Sequence, residues 1–297
     1  MDKLTFDEFC DNVQAELYDR LGDEYDISVD KYLKNNGVQL TGVIIRSKDS
    51  VCSPVIYLDD MYYHFMEDEI DLSVYVSNII RFYERQKDCI EIDASMVYDF
   101  YKIKDGLFLK TINYEKNKEF LNDKPYHSFF DLASTFNVNI PNISDAVSSF
   151  VVTNNILEIW GISEDDLYEA AISNSEKLMP ALVASLGEVL EKEFNKLIQD
   201  VYNVPMFLLT NKKYFYGASA ILYPGVLKQV ADSLKDDLVL MPSSVHEFIF
   251  VPYRVCYNAS DLVELVRSVN ATSVKNTDIL GENIYLYSRA DDSFTML

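Results

Sequence analysis

One short segment brings together the residue types used in nucleophilic catalysis. Ser243, Ser244, His246 and Glu247 place two hydroxyls, an imidazole and a carboxylate within five residues. In a catalytic triad a base activates the hydroxyl and an acid orients the base. Residues so close along the chain rarely reach the arrangement of nucleophile, base and acid in a line, and no GxSxG turn is present. We therefore favour a turn whose serines bond the backbone and whose His246 pairs with Glu247, and keep catalysis as the alternative.

A second set of residues has the spacing of metal ligands. Asp60, His64 and Glu67 recur at i, i+4 and i+7, so a helix would carry them on one face, where they could hold a divalent ion. The alternative is the acidic start of a helix beside a solvated imidazole. Because no zincin motif or EF-hand loop occurs, these three residues are weak candidates for a metal site.

The chain lacks the usual loops for phosphates and dinucleotides. Gly37 and Gly42 have the spacing of P-loop glycines, but Val43 and Ile44 follow where Lys and a Ser or Thr are needed. The GxGxxG fingerprint is also missing. We therefore expect no cofactor.

The four cysteines do not form a pattern. Cys10, Cys52, Cys89 and Cys256 lie far apart without a CxxC pair, which argues against a disulfide framework or a zinc knuckle. Cys10 falls on the apolar face of a predicted helix and Cys52 at the start of a predicted strand. Packing is therefore the favoured role of both thiols.

The N-terminal elements are the clearest in the sequence. Apolar residues at spacings of three and four predict a helix over 5–20, capped by Thr5 with Glu8 at the capping-box position. Asn and Gly tolerate positive φ, so Asn35–Gly37 predicts a hairpin between strands over 25–33 and 38–46.

The elements around the Ser243–Glu247 segment are predicted from hydrophobic patterning. The pattern predicts a long helix over 181–200, a strand over 215–222 and two strands over 238–241 and 247–252 that flank the segment.

Neighbouring strands come in pairs rather than alternating strictly with helices. This arrangement favours an α+β fold with mixed or mainly antiparallel sheets and packed helices. We predict two domains: a small βββαα unit over 1–95 and a larger α+β domain over 96–297.

Composition limits the classes of partner. The chain has 297 residues, 26 Lys and Arg against 48 Asp and Glu, and a formal net charge of −22, which argues against direct binding to nucleic acid or an anionic membrane. The first residues lack the basic and apolar regions of a signal peptide, and the longest apolar uncharged run, 214–227, is too short and interrupted to span a bilayer. We expect a cytoplasmic protein and leave its oligomeric state open.

Several motifs are spread over nearly the whole chain. They are Lys34–Gly42, Pro54–Asp60, Ile112–Asn117, Trp160–Leu167, Leu209–Asn211, Gly217-Ala218, Leu222–Gly225 and Met241–Glu247. Together they resemble a domain-of-unknown-function family of anaerobic gut bacteria. The part from Trp160 to Pro252 is more weakly similar to YtpQ-like proteins, whose activity is also unassigned. The resemblance implies a bacterial cytoplasmic α+β protein, carries over no catalytic residue, and includes the turn from Pro242 to Glu247.

Three functions remain open. The first is a non-enzymatic interaction or regulatory module with a protein partner, favoured by the missing catalytic motifs and by the 21 tyrosines, since Tyr is enriched at interfaces. The second is a hydrolase-like enzyme that uses Ser243 or Ser244 with His246 and Glu247. The third is an acidic mimic of nucleic acid, which would need carboxylates in regular rows.

Overall fold

The fold is known from a computed structural model of the chain. It describes residues 4–48, 53–67, 70–87, 94–139, 149–189, 205–256 and 258–297. Over these residues the strands form three antiparallel sheets, with helices packed against them. The predicted α+β class is confirmed. No helix within these ranges is long and apolar enough to cross a membrane.

The described residues form two packing units. Those up to Asp99 belong to unit 1 and those from Phe100 onward to unit 2. The sequence prediction places the boundary of its two domains at 95/96. This division into domains stays a prediction.

Unit 1 is a three-stranded sheet, in the order β1-β2-β3, with its helices. Its elements are α1 (Phe6–Leu21), β1 (Tyr25–Leu33), β2 (Gln39–Ser47), β3 (Val55–Tyr57), α2 (Asp59–Glu67), α3 (Leu72–Lys87) and α4 (Ala94–Val97). The predicted hairpin is confirmed: β1 pairs with β2 across Asn35–Gly37, where Asn36 and Gly37 have φ of 60° and 71°.

Helix α1 begins at the predicted capping box. Thr5 Oγ1 accepts a hydrogen bond from the Glu8 N–H at 3.3 Å, and the Glu8 carboxylate accepts one from the Thr5 N–H at 2.8 Å. These bonds satisfy two backbone donors that a helix start leaves without partners. The buried face of the helix carries Phe9, Cys10, Val13 and Leu17 into the core of unit 1.

Burial of Cys10 in this core leads to a testable chemical property. Desolvation, with a smaller effect of the nearby Asp59 and Asp7 charges, raises the pKa of the Cys10 thiol to about 11. The thiolate is the form that reacts with alkylating agents, and at pH 8 only roughly 0.1% of such a thiol is ionised. We expect iodoacetamide at pH 8 to leave Cys10 unmodified in the native protein and to alkylate it in urea, as measured by peptide mass spectrometry.

Alkylation of native Cys10 as fast as that of a free thiol such as glutathione would contradict this placement. Cys256, the other described cysteine, is also free, and burial raises its pKa too. The predicted packing role of Cys52, like any role of Cys89, lies outside the described residues.

Unit 2 contains two sheets. Its helices are α5 (Phe100–Ile103), α6 (Lys118–Leu121), α7 (Asn154–Trp160), α8 (Glu164–Leu178), α9 (Val226–Leu234) and α10 (Ala259–Thr272). Its strands are β4 (Leu107–Asn113), β5 (Tyr126–Phe129), β6 (Leu132–Asn139), β7 (Ser149–Val151), β8 (Ala181–Ser185), β9 (Phe207–Asn211), β10 (Leu238–Ser244), β11 (Glu247–Pro252), β12 (Tyr285–Ser288) and β13 (Ser293–Met296). The smaller sheet has the order β4-β6-β5, with β7 also paired to β6, and the larger has the order β13-β12-β10-β11-β9-β8.

Two elements differ from the sequence prediction. The helix predicted over 181–200 is wrong at its start, because Ala181–Ser185 is a strand paired with β9. Residues 186–189 are helical as predicted, and residues 190–200 lie outside the described part. The strand predicted over 215–222 is also wrong, since Gly217–Leu222 forms a 3-10 helix.

The outer edge of β4 is occupied by two buried hydroxyls. Ser175 Oγ accepts a hydrogen bond from the Leu109 N–H at 2.9 Å. Ser219 Oγ accepts one from the Thr111 N–H at 3.0 Å and donates to the Leu109 carbonyl at 2.9 Å. Both serines are 0% exposed, so these bonds replace water and a neighbouring strand as partners of the β4 backbone.

The two faces of the larger sheet bury different clusters, because successive strand residues point to opposite sides. Leu238 and Leu240 of β10 face the largest cluster of unit 2. Val239 and Met241 face the opposite side, where they pack with Val266 of α10. Helix α10 therefore covers the face of the larger sheet that carries Val239 and Met241.

Candidate functional site

The Ser243–Glu247 segment forms the tip of the β10–β11 hairpin. Strand β10 runs beyond its predicted end to Ser244, and the turn is Val245-His246. The pairing register shifts between Pro242 and Ser244, so Ser243 is the extra residue of a bulge. A bulge redirects side chains, and here it brings two adjacent serines to one partner.

Glu247 is that partner. Its Oε1 accepts hydrogen bonds from Ser243 Oγ at 3.0 Å and from Ser244 Oγ at 2.8 Å. Ser244 Oγ also accepts one from the His246 N–H at 3.0 Å, which closes the turn. Ser244 thus bonds the turn backbone as predicted, whereas the Ser243 hydroxyl is bonded to the Glu247 side chain instead.

The His246 side chain is held by a distant part of the chain. Its Nδ1 accepts a hydrogen bond from the Tyr216 N–H at 3.1 Å, and its ring lies 6° from parallel to the Tyr216 ring, with the centroids 5.7 Å apart. Its carbonyl accepts a hydrogen bond from Thr210 Oγ1 at 2.8 Å. An Nδ1 that accepts a backbone N–H leaves the ring proton on Nε2, so these bonds define one tautomer of the neutral imidazole.

This geometry differs from a Ser–His–acid line. Within the described residues both hydroxyls donate to Glu247, and neither is hydrogen-bonded to the imidazole ring of His246. A hydrolase would need the imidazole to leave the Tyr216 N–H and accept a serine proton. The catalytic roles of Ser243, Ser244, His246 and Glu247 stay predictions.

A small cavity lies beside this segment, on the face of the larger sheet that α10 covers. Its volume is about 110 Å³, and Ser243 is the member of the candidate set that lines it. Asn270 is the other polar residue of the lining. The rest is apolar: Met206, Met241, Pro242, Ile249, Leu265, Val266 and Val269. Such a lining suits an apolar group with one polar end.

The predicted metal candidates lie in unit 1. Asp60, His64 and Glu67 are all on α2 and all exposed. A hydrogen bond with Tyr63 engages Glu67 and raises the pKa of that tyrosine. Within the described ranges, the structure brings no three His, Cys, Asp or Glu residues into a group that could hold a metal ion.

Sequence reasoning missed Thr210, Tyr216 and Asn270. Thr210 and Tyr216 reach His246 across 36 and 30 residues, and no local pattern signals contacts of that range. Asn270 did leave a signal: it follows Leu262 and Val266 at helical spacing, a polar residue on an apolar stripe.

Comparisons with known proteins identify the chain only at the level of its family. Neither the curated proteins nor the solved structures contain a match to it. The similarity to YtpQ-like proteins and the origin in gut anaerobes stay predictions. A family model described as a family of unknown function, DUF5688, matches residues 6–289, and the chain belongs to that family.

Proposed function

We propose that this protein is a cytoplasmic, non-enzymatic interaction or regulatory module that binds a ligand at the cavity beside Ser243. One observation carries the proposal: Ser243, whose hydroxyl is bonded to Glu247, lines an otherwise largely apolar cavity of about 110 Å³. A hydroxyl placed in this way can orient a ligand without reacting with it.

The contacts of the segment support binding over hydrolysis. General-base catalysis needs an imidazole within hydrogen-bond reach of the nucleophile, and here His246 Nδ1 accepts the Tyr216 N–H instead. No charged side chain is among the described residues that line the cavity, so none of its side chains offers a positive charge to a developing oxyanion. The hydrolase therefore ranks second.

The acidic mimic of nucleic acid ranks third. Several carboxylates are engaged locally: Glu8 and Asp166 in capping boxes, and Asp232 in ion pairs with Lys228 and Arg289. Acids in such roles are positioned by helix starts and neighbouring cations rather than by the spacing of duplex phosphates.

A serine-directed fluorophosphonate separates the first two functions. An activated serine attacks its phosphorus and displaces fluoride, which leaves a stable adduct. We expect no adduct on Ser243 or Ser244 by peptide mass spectrometry, under conditions that label a known serine hydrolase completely. An adduct that forms on the native protein and disappears in the His246→Ala variant would overturn the proposal in favour of the hydrolase.

A further inference from the structure

We propose that the cavity beside Ser243 binds a small primary amine, with a branched hydrocarbon body between the sheet and α10 and an ammonium group at the Ser243–Glu247 end. This inference rests on the proposed binding function and names its ligand class. It is argued from the size of the cavity, from the hydrogen-bonding state of its two polar residues and from the charge nearby.

The volume and lining of the cavity determine the body of the ligand. An apolar cavity of ~150 Å³ in another protein binds benzene, so a volume of about 110 Å³ suits a body of roughly four or five carbon atoms. Leu265 and Val269 line this cavity and are each 38% exposed, so its α10 side is reached from the surface. A branched alkyl group that packs against these side chains would remove apolar surface from water on both sides of the contact.

Each of the two polar residues of the lining carries a hydrogen-bond acceptor. The Ser243 proton points to Glu247 Oε1, which leaves the Oγ lone pairs for a donor. Asn270 is 8% exposed, and its Nδ2 donates to the Gly281 carbonyl at 2.9 Å. Its Oδ1 accepts no hydrogen bond from the part of the chain that the structure describes. A ligand that satisfies this cavity must therefore bring donors.

The charge beside the cavity is negative. Glu247 lies two residues before Ile249 in β11, so both are on the face of the sheet that carries the cavity. Glu247 forms no ion pair within the described ranges, whereas Arg267 of α10 is paired with Glu282. An ammonium group combines three donors with a compact positive charge, and so matches both acceptors and the Glu247 carboxylate.

Three isosteric probes test the ligand class: 3-methylbutylamine, 3-methylbutan-1-ol and 3-methylbutanoate share one body and differ in the head group. Met206 and Met241 line the cavity, so their ¹³C-labelled methyl groups report occupancy by NMR, assigned with Met206→Leu and Met241→Leu. We expect the amine to shift both signals saturably, with a Kd about fivefold below that of the alcohol. A difference of this size is what a partly exposed charge pair contributes to affinity. The carboxylate should give no saturable shift.

Three variants assign the effect to the cavity and to the charge. Val269→Phe fills the cavity and should abolish the shifts from both the amine and the alcohol. Val74→Phe is the matched control on an exposed helix position of unit 1, 46% exposed, and should leave both affinities unchanged. Glu247→Gln keeps an oxygen for the two serine hydroxyls but removes the charge, so the amine and alcohol affinities should come within twofold of each other.

Each contrary outcome is decisive. Equal affinities of the native protein for the amine and the alcohol, or a preference for the carboxylate, would overturn the ligand class. The absence of a saturable shift with any probe would overturn the cavity as a ligand site. Equal affinities or a preference for the carboxylate would leave the proposed binding function standing, whereas a serine adduct with the fluorophosphonate would overturn the non-enzymatic function itself.

Discussion

Replacing Gly217 with alanine is expected to lower the free energy of unfolding of unit 2 by about 3 kcal/mol. A Cβ atom at this position would overlap Thr210 Oγ1 and lie 2.5 Å from the His246 carbonyl oxygen and 2.7 Å from the Asn211 nitrogen. Two of these atoms belong to the backbone, so no side-chain rotation relieves the clash. Relief requires the backbone at Gly217 to move away from β9 and from the hairpin turn, against which it is packed.

The fluorescence of Trp160 in a urea titration measures this effect. Trp160 is the single tryptophan of the chain and packs against a buried cluster of unit 2. Gly187→Ala is the matched control, because among the described residues a Cβ atom there meets only Ser185 Oγ, at 3.7 Å. It should change stability by no more than about 1 kcal/mol. If Gly217→Ala unfolds at the same urea concentration as the native chain, the close approach of Gly217 to β9 and to the hairpin turn is wrong.

Replacing Ser219 with alanine is expected to cost about 3 kcal/mol, since it leaves two buried backbone groups of β4 without partners. These groups are the Thr111 N–H and the Leu109 carbonyl, both bonded to Ser219 Oγ. Thr111 Oγ1 also loses one of its two hydroxyl partners but keeps Ser134 at 2.8 Å. The removed oxygen is small and its surroundings are fully buried, so water has little room to replace it.

Ser268→Ala is the control for this substitution. Ser268 is exposed on α10, and the same change there should alter stability by at most about 0.5 kcal/mol. The Trp160 titration applies to both variants. A Ser219→Ala protein as stable as the control would show that the β4 edge does not depend on the serine hydroxyl.

Local structure with a local cause was predictable from the sequence. The capping box of Thr5 and Glu8 involves residues three apart, and the turn at Asn36-Gly37 follows from backbone preferences of those two residues. The apolar stripe of α1 likewise corresponds to its buried face. In each case the residues that form the interaction are neighbours along the chain.

Elements that depend on distant partners were not predictable. Ala181–Ser185 contains residues that tolerate a helix, but pairing with β9 makes it an edge strand. The aromatic run before Gly217 favours a strand by composition, yet Tyr214 and Tyr216 have φ of 53° and 51°. Asn211 stabilises this path by donating a hydrogen bond from Nδ2 to the Phe215 carbonyl at 2.7 Å.

The candidate site shows the same division. The position of Ser243–Glu247 between two strands was predicted from patterning, whereas its hydrogen-bond partners were not. The predicted His246–Glu247 pair gives way to bonds from the serines to Glu247 and from Tyr216 to His246. These hydrogen bonds occur at a one-residue bulge, and a bulge cannot be predicted from the alternation of apolar and polar residues.

The two serine hydroxyls bonded to the edge of β4 also affect whether copies of this protein can associate through that edge. A bare strand edge presents alternating donors and acceptors to which a second chain can add as a further strand, the first step of many aggregates. At Leu109 and Thr111 those groups are already bonded to Ser175 and Ser219. The Leu109 N–H and carbonyl and the Thr111 N–H are therefore not available to an incoming strand, and two small side chains oppose strand addition at this part of the β4 edge.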